Sequence, residues 1–194
     1  MYHFNSKKYF LRTLIIALSF GALIGIFIFL AGDFGRTEVR LLLTTLAIGC
    51  YSLTGLCSTT IQNRDHMQSF SLLGIIISAI GFLITTTAIW DVVNFEEIWK
   101  ATTIFIILSV SIAHISLLFN IRLKTKNLWY MMTVTIIFIS IVALMLINST
   151  ISEFKESEFY FRLLGVFSIL DVLGTIATPI LNNICTKKEL NNQF

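Results

Sequence analysis

The sequence predicts an all-α integral membrane protein built as a bundle of six transmembrane helices. Six apolar stretches of about 20 residues fill nearly all of the 194-residue chain. At about 1.5 Å of rise per residue, each stretch is long enough to cross the roughly 30 Å hydrocarbon layer of a bilayer. Hydrophobic residues make up 56% of the chain and charged residues only 13%, far below the share in a soluble domain. The predicted segments are 10–31, 41–61, 70–90, 101–121, 128–148 and 163–185.

The charges predict how these segments are threaded. Every charged residue except Asp171 lies at a segment end or in a short connection, so consecutive helices run antiparallel and residues 1–194 form a single membrane domain. Lys and Arg near helix ends favour the cytoplasmic side. Nine of the fourteen lie at the two termini and in the connections 62–69 and 122–127. We therefore assign both termini to the cytoplasm and the other three, acidic connections to the outer face.

The even-numbered segments share two markers. Each begins just after a basic residue, and each carries a small or polar pair deeper in the helix, with both markers recurring at intervals of 59 to 62 residues. This recurrence predicts three tandem helical hairpins, at approximately 9–63, 68–123 and 127–186, in a pseudo-threefold repeat. Evenly spaced spans could also produce such matches by chance, and that alternative stays open. The markers are Arg40, Lys100 and Arg162, and the pairs Ser52 with Gly55, Ser111 with His114, and Asp171 with Gly174.

The first three segments carry small residues that predict helix contacts. Lipid provides no hydrophobic drive for helix association, so contacts depend on close backbone approach. The first segment follows basic residues, as a signal peptide does, but its apolar run is longer and no convincing cleavage site follows, so we interpret it as an uncleaved helix. The predicted packing residues are Gly21 and Gly25 in the first segment, Gly49 and Gly55 in the second, and Gly74 and Ser78 in the third.

The fourth segment holds His114, the one histidine inside a predicted span. It lies near Ser111 on the helix surface, where the other two repeats have glycine, so it is a candidate for a functional site. The structural interpretation is a neutral imidazole that bonds to a neighbouring hydroxyl or carbonyl. On the opposite face, Ser109, Ala113, Ser116 and Asn120 align as a predicted packing face. The fifth segment has no glycine, and its candidates for a helix contact are Thr133, Thr135 and Ser140.

The sixth segment contains Asp171, a carboxylate that is costly in a membrane and must therefore face protein or water. Polar residues continue from it along one face, within about 80° of one another. This stripe is either the wall of an aqueous path or a hydrogen-bonded seam between helices. Pro179 lies in the same segment and removes one backbone hydrogen bond, which predicts a kink. The stripe consists of Ser168, Asp171, Thr175, Thr178 and Asn182.

No sequence pattern indicates catalysis. The chain has no phosphate-binding loop, no G-x-S-x-G and no H-E-x-x-H motif, so we predict a protein that is not an enzyme. A single histidine and a single acid within the spans argue against a haem or dimetal centre, and the three cysteines form no C-x-x-C. We therefore predict no metal and no cofactor. The net charge of +3 gives no reason to expect nucleic acid as a partner.

Besides an intramembrane enzyme or redox carrier, for which the sequence lacks both a nucleophile–base pair and a paired set of ligands, two functional interpretations remain. The first is a non-enzymatic scaffold or accessory subunit of an inner-membrane assembly, whose partners are the lipid bilayer and other membrane subunits. The alternative is a small-solute or proton-coupled transporter or channel, which requires Asp171, His114 and the polar stripe to line one aqueous cavity. The Ile- and Lys-rich composition is typical of a bacterial multi-pass protein of the cell membrane.

Overall fold

The computed structural model of the protein describes residues 11–12, 15–16, 19–23, 25–27, 35–61, 67–92, 96–121, 126–153 and 155–191. Within these ranges it is helical, without a β-strand, and contains five long helices. They correspond to the second to sixth predicted segments. The described residues of the first segment are helical as well, and the rest of that segment lies outside these ranges. The five helices are α1 (Arg36–Thr59), α2 (Gln68–Ile89), α3 (Glu96–Asn120), α4 (Lys126–Ile151) and α5 (Glu158–Asn191).

Each of the five helices is long and apolar enough to cross a bilayer. The prediction of an all-helical chain with membrane-length apolar helices is therefore confirmed for the described residues, and the architecture is compatible with a membrane protein. Three of the helices begin five residues before the apolar stretches that predicted them, because their first turns are charged. Glu38 and Glu158 lie in two of these first turns, where the partial positive charge of the helix N-terminus stabilises a carboxylate.

The chain divides into two compact units, Met1–Ser116 and Leu117–Phe194, with the division inside α3. In the first unit α1 packs against α2, and in the second α4 packs against α5.

The α1–α2 contact depends on small residues. The buried small residues of α2 alternate in spacing between three and four positions, the repeat that keeps one face of a helix against a neighbour. A Cβ atom at Gly74 would lie 2.8 Å from Ser58 Cβ and 2.9 Å from Ile112 Cγ2, closer than real carbon atoms approach. The glycine therefore allows α2 to touch both α1 and α3. The buried small residues of α2 are Ser71, Gly74, Ser78, Gly81, Thr85 and Ala88.

Two polar contacts join α1 to the end of α2. The Arg40 guanidinium pairs with the Asp91 carboxylate, and Trp90 Nε1 donates a hydrogen bond to Thr44 Oγ1 over 3.1 Å. Asp91 has a φ of 48°, in the left-handed region, and so ends the helix and turns the chain. Arg40 and Asp91 were both assigned to the outer face, and the structure places them at the same end of the helix pair.

A charge exchange tests this ion pair. We expect Arg40→Asp to lower the free energy of unfolding by about 0.5–1 kcal/mol, because it removes a partly exposed ion pair and brings two acids together. Adding Asp91→Arg should restore most of the loss. Unfolding in mixed detergent micelles, followed by circular dichroism, measures both values. The difference in stability between wild type and Arg40→Asp should shrink as the salt concentration is raised. Equal stabilities of the single and double variants would contradict the pairing.

In the second unit, α4 and α5 approach closely at one glycine. A Cβ at Gly174 would lie 3.1 Å from both Cβ and Cγ2 of Thr135, and Phe138 packs near Phe167 with ring centroids 6.0 Å apart. Of the three residues proposed for contacts of the fifth segment, Thr135 is the one that is buried, and Ser140 is exposed. A glycine on one helix and a threonine on the other thus set the distance between them.

The connection between α4 and α5 is held by side chains. The Tyr160 hydroxyl donates to the Met145 carbonyl over 2.7 Å, and Asn148 Nδ2 donates to Glu156 Oε1 over 2.9 Å. Glu153 has a φ of 54° and, like Asp91, follows the end of a helix in the left-handed conformation. These contacts fix the start of α5 against the end of α4.

Candidate functional site

Asp171 lies near the middle of α5 and is only 9% exposed. It precedes Gly174 by about one helical turn, which places it on the face of α5 that packs against Thr135 of α4. Thr175 Oγ1 donates a long hydrogen bond of 3.4 Å to Asp171 Oδ1. The carboxylate is therefore enclosed at a helix contact and has a hydroxyl donor from its own helix.

The other residues of the predicted polar stripe also lie on α5. The Ser168 hydroxyl donates to the Leu164 carbonyl over 2.8 Å, and the fully buried Thr178 hydroxyl donates to the Gly174 carbonyl over 2.7 Å. Asn182 is partly buried. The hydroxyl hydrogens of Ser168 and Thr178 are thus satisfied within the helix, which is the usual arrangement for Ser and Thr in an apolar environment.

Pro179 lies inside α5, which continues as a helix on both sides of it. The proline cannot donate to the Thr175 carbonyl, one turn earlier. In membrane helices a nearby Thr hydroxyl, here that of Thr175 or Thr178, can replace the missing donor. In the structure, the Thr178 hydroxyl bonds to Gly174 and the Thr175 hydroxyl bonds to Asp171.

His114 and Ser111 are partly buried on α3 and belong to the first unit, whereas Asp171 belongs to the second. A cavity shared by His114 and Asp171 therefore remains a prediction. On the other face of α3, Ser109, Ala113 and Ser116 are buried and Asn120, one residue from the helix end, is exposed. The predicted packing face is thus buried along three of its four residues.

The predicted packing glycines differ in their surroundings. A Cβ at Gly21 would make an ordinary contact with Thr45 Oγ1 at 3.4 Å, whereas one at Gly25 or Gly49 would meet no described atom within 4 Å. Gly55 is buried on α1. The closest approaches between different helices occur at Gly74, Gly81 and Gly174.

A groove lies between α1 and α2 in the first unit. Its volume is about 370 Å³, and Tyr51 and Phe82 form an aromatic wall with ring centroids 6.3 Å apart in an edge-to-face arrangement. Gly81 makes room for this wall, because a Cβ there would lie 2.7 Å from Tyr51 Cε1. The groove is lined by Ile48, Tyr51, Ser52, Ile75, Ser78, Ala79 and Phe82.

Hydroxyl groups cross the contact beside this groove. The Tyr51 hydroxyl lies 2.9 Å from Thr85 Oγ1, and Thr54 Oγ1 lies 3.0 Å from Ser78 Oγ. Thr54 also donates to the Tyr51 carbonyl, and a hydroxyl has one hydrogen, so Ser78 is the donor in the Thr54–Ser78 bond. Two cross-helix hydrogen bonds therefore hold the groove walls in place.

Sequence reasoning did not single out Tyr51. One signal was available: Tyr51 is the sixteenth residue of α1, deep within the apolar span, whereas tyrosines of membrane proteins concentrate at the interfaces. A tyrosine at such a depth needs a hydrogen-bond partner. The identity of that partner, Thr85 of the next helix, does not follow from the sequence of α1.

A second groove, apolar except for Ser168, runs along the exposed side of α5. Its volume is about 690 Å³. Only 6% of the membrane-length window of α5 is buried, against 22–39% in the other four helices. The groove is lined by Ser168, Ile169, Val172, Leu173, Ile176, Ala177, Ile180 and Leu181.

Metal-binding side chains are not grouped in the part of the chain that the structure describes: no three of His, Cys, Asp or Glu lie close enough to hold an ion. Cys50 and Cys57 are free thiols, and the side chain of Cys185 lies outside the described part. Comparison of the chain with protein-family models, curated proteins and solved structures found no match. The assignment of function therefore depends on the geometry alone.

Proposed function

We propose that the chain is a multi-pass protein of the bacterial inner membrane that serves as a non-enzymatic scaffold or accessory subunit of a larger assembly. The enclosure of Asp171 carries this proposal. A carboxylate that binds or relays ions needs access to water, whereas this one is 9% exposed, lies on a helix-packing face and accepts a hydrogen bond from Thr175. Such surroundings favour a structural seam over an ion path.

The helix boundaries support six spans arranged as three tandem hairpins. α1, α3 and α5 begin at Arg36, Glu96 and Glu158, which are 60 and 62 residues apart. Asp91 and Glu153, the two described non-glycine residues with positive φ, are also 62 residues apart and each follows the end of a helix. The three helix starts have the same spacings, 60 and 62 residues, as the basic sequence markers Arg40, Lys100 and Arg162. The two residues in the left-handed conformation show the second of these spacings, 62 residues.

The charge distribution supports cytoplasmic termini. Most Lys and Arg lie at the termini and in the connections that follow the second and fourth segments, and the opposite connections are acidic. Reporter fusions at residues 1 and 194 should both report a cytoplasmic location. A periplasmic report from one terminus alone would contradict the even number of spans, and periplasmic reports from both would contradict the proposed orientation.

The exposed side of α5 supports the subunit hypothesis. The other four helices bury 22–39% of their membrane-length windows, whereas α5 buries only 6%, packs with α4 on a single seam and leaves a long apolar surface uncovered. We propose that this surface contacts another membrane subunit. Ile176 lies near its centre and is 55% exposed.

Photo-crosslinking tests the subunit contact. A photoreactive residue at position 176 should give a single crosslinked protein partner in membranes, and the same partner should co-purify at a constant ratio in mild detergent. Position 144 on α4, where Leu144 is 66% exposed, serves as the matched control and should crosslink to lipid only. Crosslinking to lipid alone at both positions would refute the contact.

The variant Asp171→Asn separates a scaffold from a transporter. We expect it to fold with a change in unfolding free energy below about 1 kcal/mol, because an amide oxygen can still accept the Thr175 hydrogen bond. In liposomes with a pH-sensitive dye, wild type and variant should both match empty liposomes. A proton flux in the wild type that disappears in a folded Asp171→Asn protein would support transport and contradict the proposed function.

A further inference from the structure

Ser52 carries the one hydroxyl of the α1–α2 groove that has no hydrogen-bond partner among the described residues. It is 6% exposed and lines the groove, yet it forms no hydrogen bond with any described group. Its neighbours on α1 behave differently. The hydroxyls of Thr44, Thr45, Thr54, Ser58 and Thr59 all donate to backbone carbonyls three or four residues earlier.

The Ser52 hydroxyl opens onto the groove. A hydroxyl without a partner in apolar surroundings is unfavourable by about 1–3 kcal/mol, so an acceptor that enters the groove would be bound more tightly there. Ser78 has already donated its hydrogen to Thr54, and Tyr51 is paired with Thr85. A ligand oxygen that accepts without donating would satisfy Ser52 and leave no new donor unpaired. A carbonyl oxygen has this property.

The position and size of the groove limit the rest of the ligand. Ser52 and Ser78 lie in the interiors of membrane-length helices, and no charged side chain among the described residues lines the groove, so a charged ligand would be unfavourable. The lining residues of α2 run from Ile75 to Phe82, about 10 Å along the helix axis. That length is shorter than the roughly 15 Å depth of one leaflet and suits a ring rather than an acyl chain.

We propose that this groove binds an uncharged, lipid-soluble ring compound whose carbonyl oxygen accepts a hydrogen bond from Ser52. The ring lies against Tyr51 and Phe82 over the small side chains of Ser78 and Ala79. The ligand enters from the bilayer beside Ala79, which is exposed. This site is independent of the proposed subunit contact on α5.

Binding of 2-decyl-1,4-benzoquinone to the full chain in lipid nanodiscs tests the proposal, with empty nanodiscs as the background. We expect saturable binding of one molecule per chain, and decylbenzene, which lacks the carbonyl groups, should bind at least about tenfold more weakly. Ser52→Ala should weaken binding of the quinone about five- to tenfold while leaving the groove open. Equal affinity for decylbenzene would mean that the groove takes any apolar molecule and would overturn the carbonyl assignment.

A second pair of variants keeps the test decisive if Ser52→Ala fails to fold. Ala79→Phe fills the groove from its exposed edge and should abolish binding. Leu83→Phe lies on the same helix, 62% exposed and outside the groove lining, and should bind like wild type. Absence of saturable binding to the wild type, or unchanged binding to Ala79→Phe, would overturn the site.

Discussion

Replacing Gly74 with Leu should lower the free energy of unfolding by at least about 3 kcal/mol, the upper part of the range for overpacked sites. A Cβ at this position already falls within 2.9 Å of both Ser58 on α1 and Ile112 on α3, and Leu adds three more carbon atoms. Both α1 and α3 would have to move away from α2. Unfolding in mixed micelles measures the loss, and the variant should also accumulate poorly in membranes.

Gly165→Leu is the matched control for this prediction. Gly165 lies in α5, where a Cβ would meet no described atom within 4 Å. Both substitutions gain the same intrinsic helix propensity, so the difference between them isolates the steric effect. Once the gain in helix propensity is subtracted, we expect the free energy of unfolding of Gly165→Leu to stay within about 0.5 kcal/mol of the wild-type value. Similar stabilities for the two variants would mean that α2 does not approach its neighbours as described.

The positions of the helices could be predicted from the sequence because hydropathy reports directly on the solvent. The C-terminal ends of α1, α2 and α3 lie within two residues of the predicted segment ends. The helix starts were predicted five residues late in α1, α3 and α5. A charged first turn lies outside the apolar layer but still belongs to the helix, since its carboxylates favour the helix N-terminus.

Helix partners were harder to predict than helix positions. Gly74 and Ser78 indicated that some backbone comes close to α2, because small residues have no other obvious use there. They could not indicate that the approaching atoms belong to Ser58 and Ile112. That information lies in the three-dimensional arrangement of helices that are almost uniformly apolar on their outer faces.

For the candidate sites too, the sequence indicated unusual residues but not their surroundings. Asp171 stood out because its chemistry is unusual in a membrane, and its burial required the structure. Tyr51 and Ser52 form a groove with residues of α2 that are more than 20 positions away in the chain. Ser52 was noticed as a repeat marker but not as a ligand-binding residue, since the absence of a hydrogen-bond acceptor is visible only when its neighbours are placed.

The contact of Gly81 with Tyr51 should give strongly non-additive stabilities. We expect Gly81→Ala to destabilise the protein by about 1–3 kcal/mol, because the new Cβ would lie 2.7 Å from Tyr51 Cε1 and 3.1 Å from Cζ. The ring cannot easily retreat, since it packs edge-on against Phe82 and its hydroxyl bonds to Thr85. Gly81→Ala in a Tyr51→Leu background should cost close to nothing, because leucine lacks the clashing atoms.

The double-mutant cycle measures this coupling free of the individual effects. Tyr51→Leu alone loses ring burial and the hydrogen bond to Thr85, and this loss appears equally on both sides of the cycle. We expect a coupling energy of at least about 1 kcal/mol in favour of the double variant. Additive losses would show that Gly81 does not face the Tyr51 ring, and the aromatic wall of the groove would then have to be placed elsewhere on α1 and α2. A favourable coupling, by contrast, would fix the register of the two helices at the depth where Ser52 lies, because Gly81 can reach Tyr51 in only one alignment of these two helices.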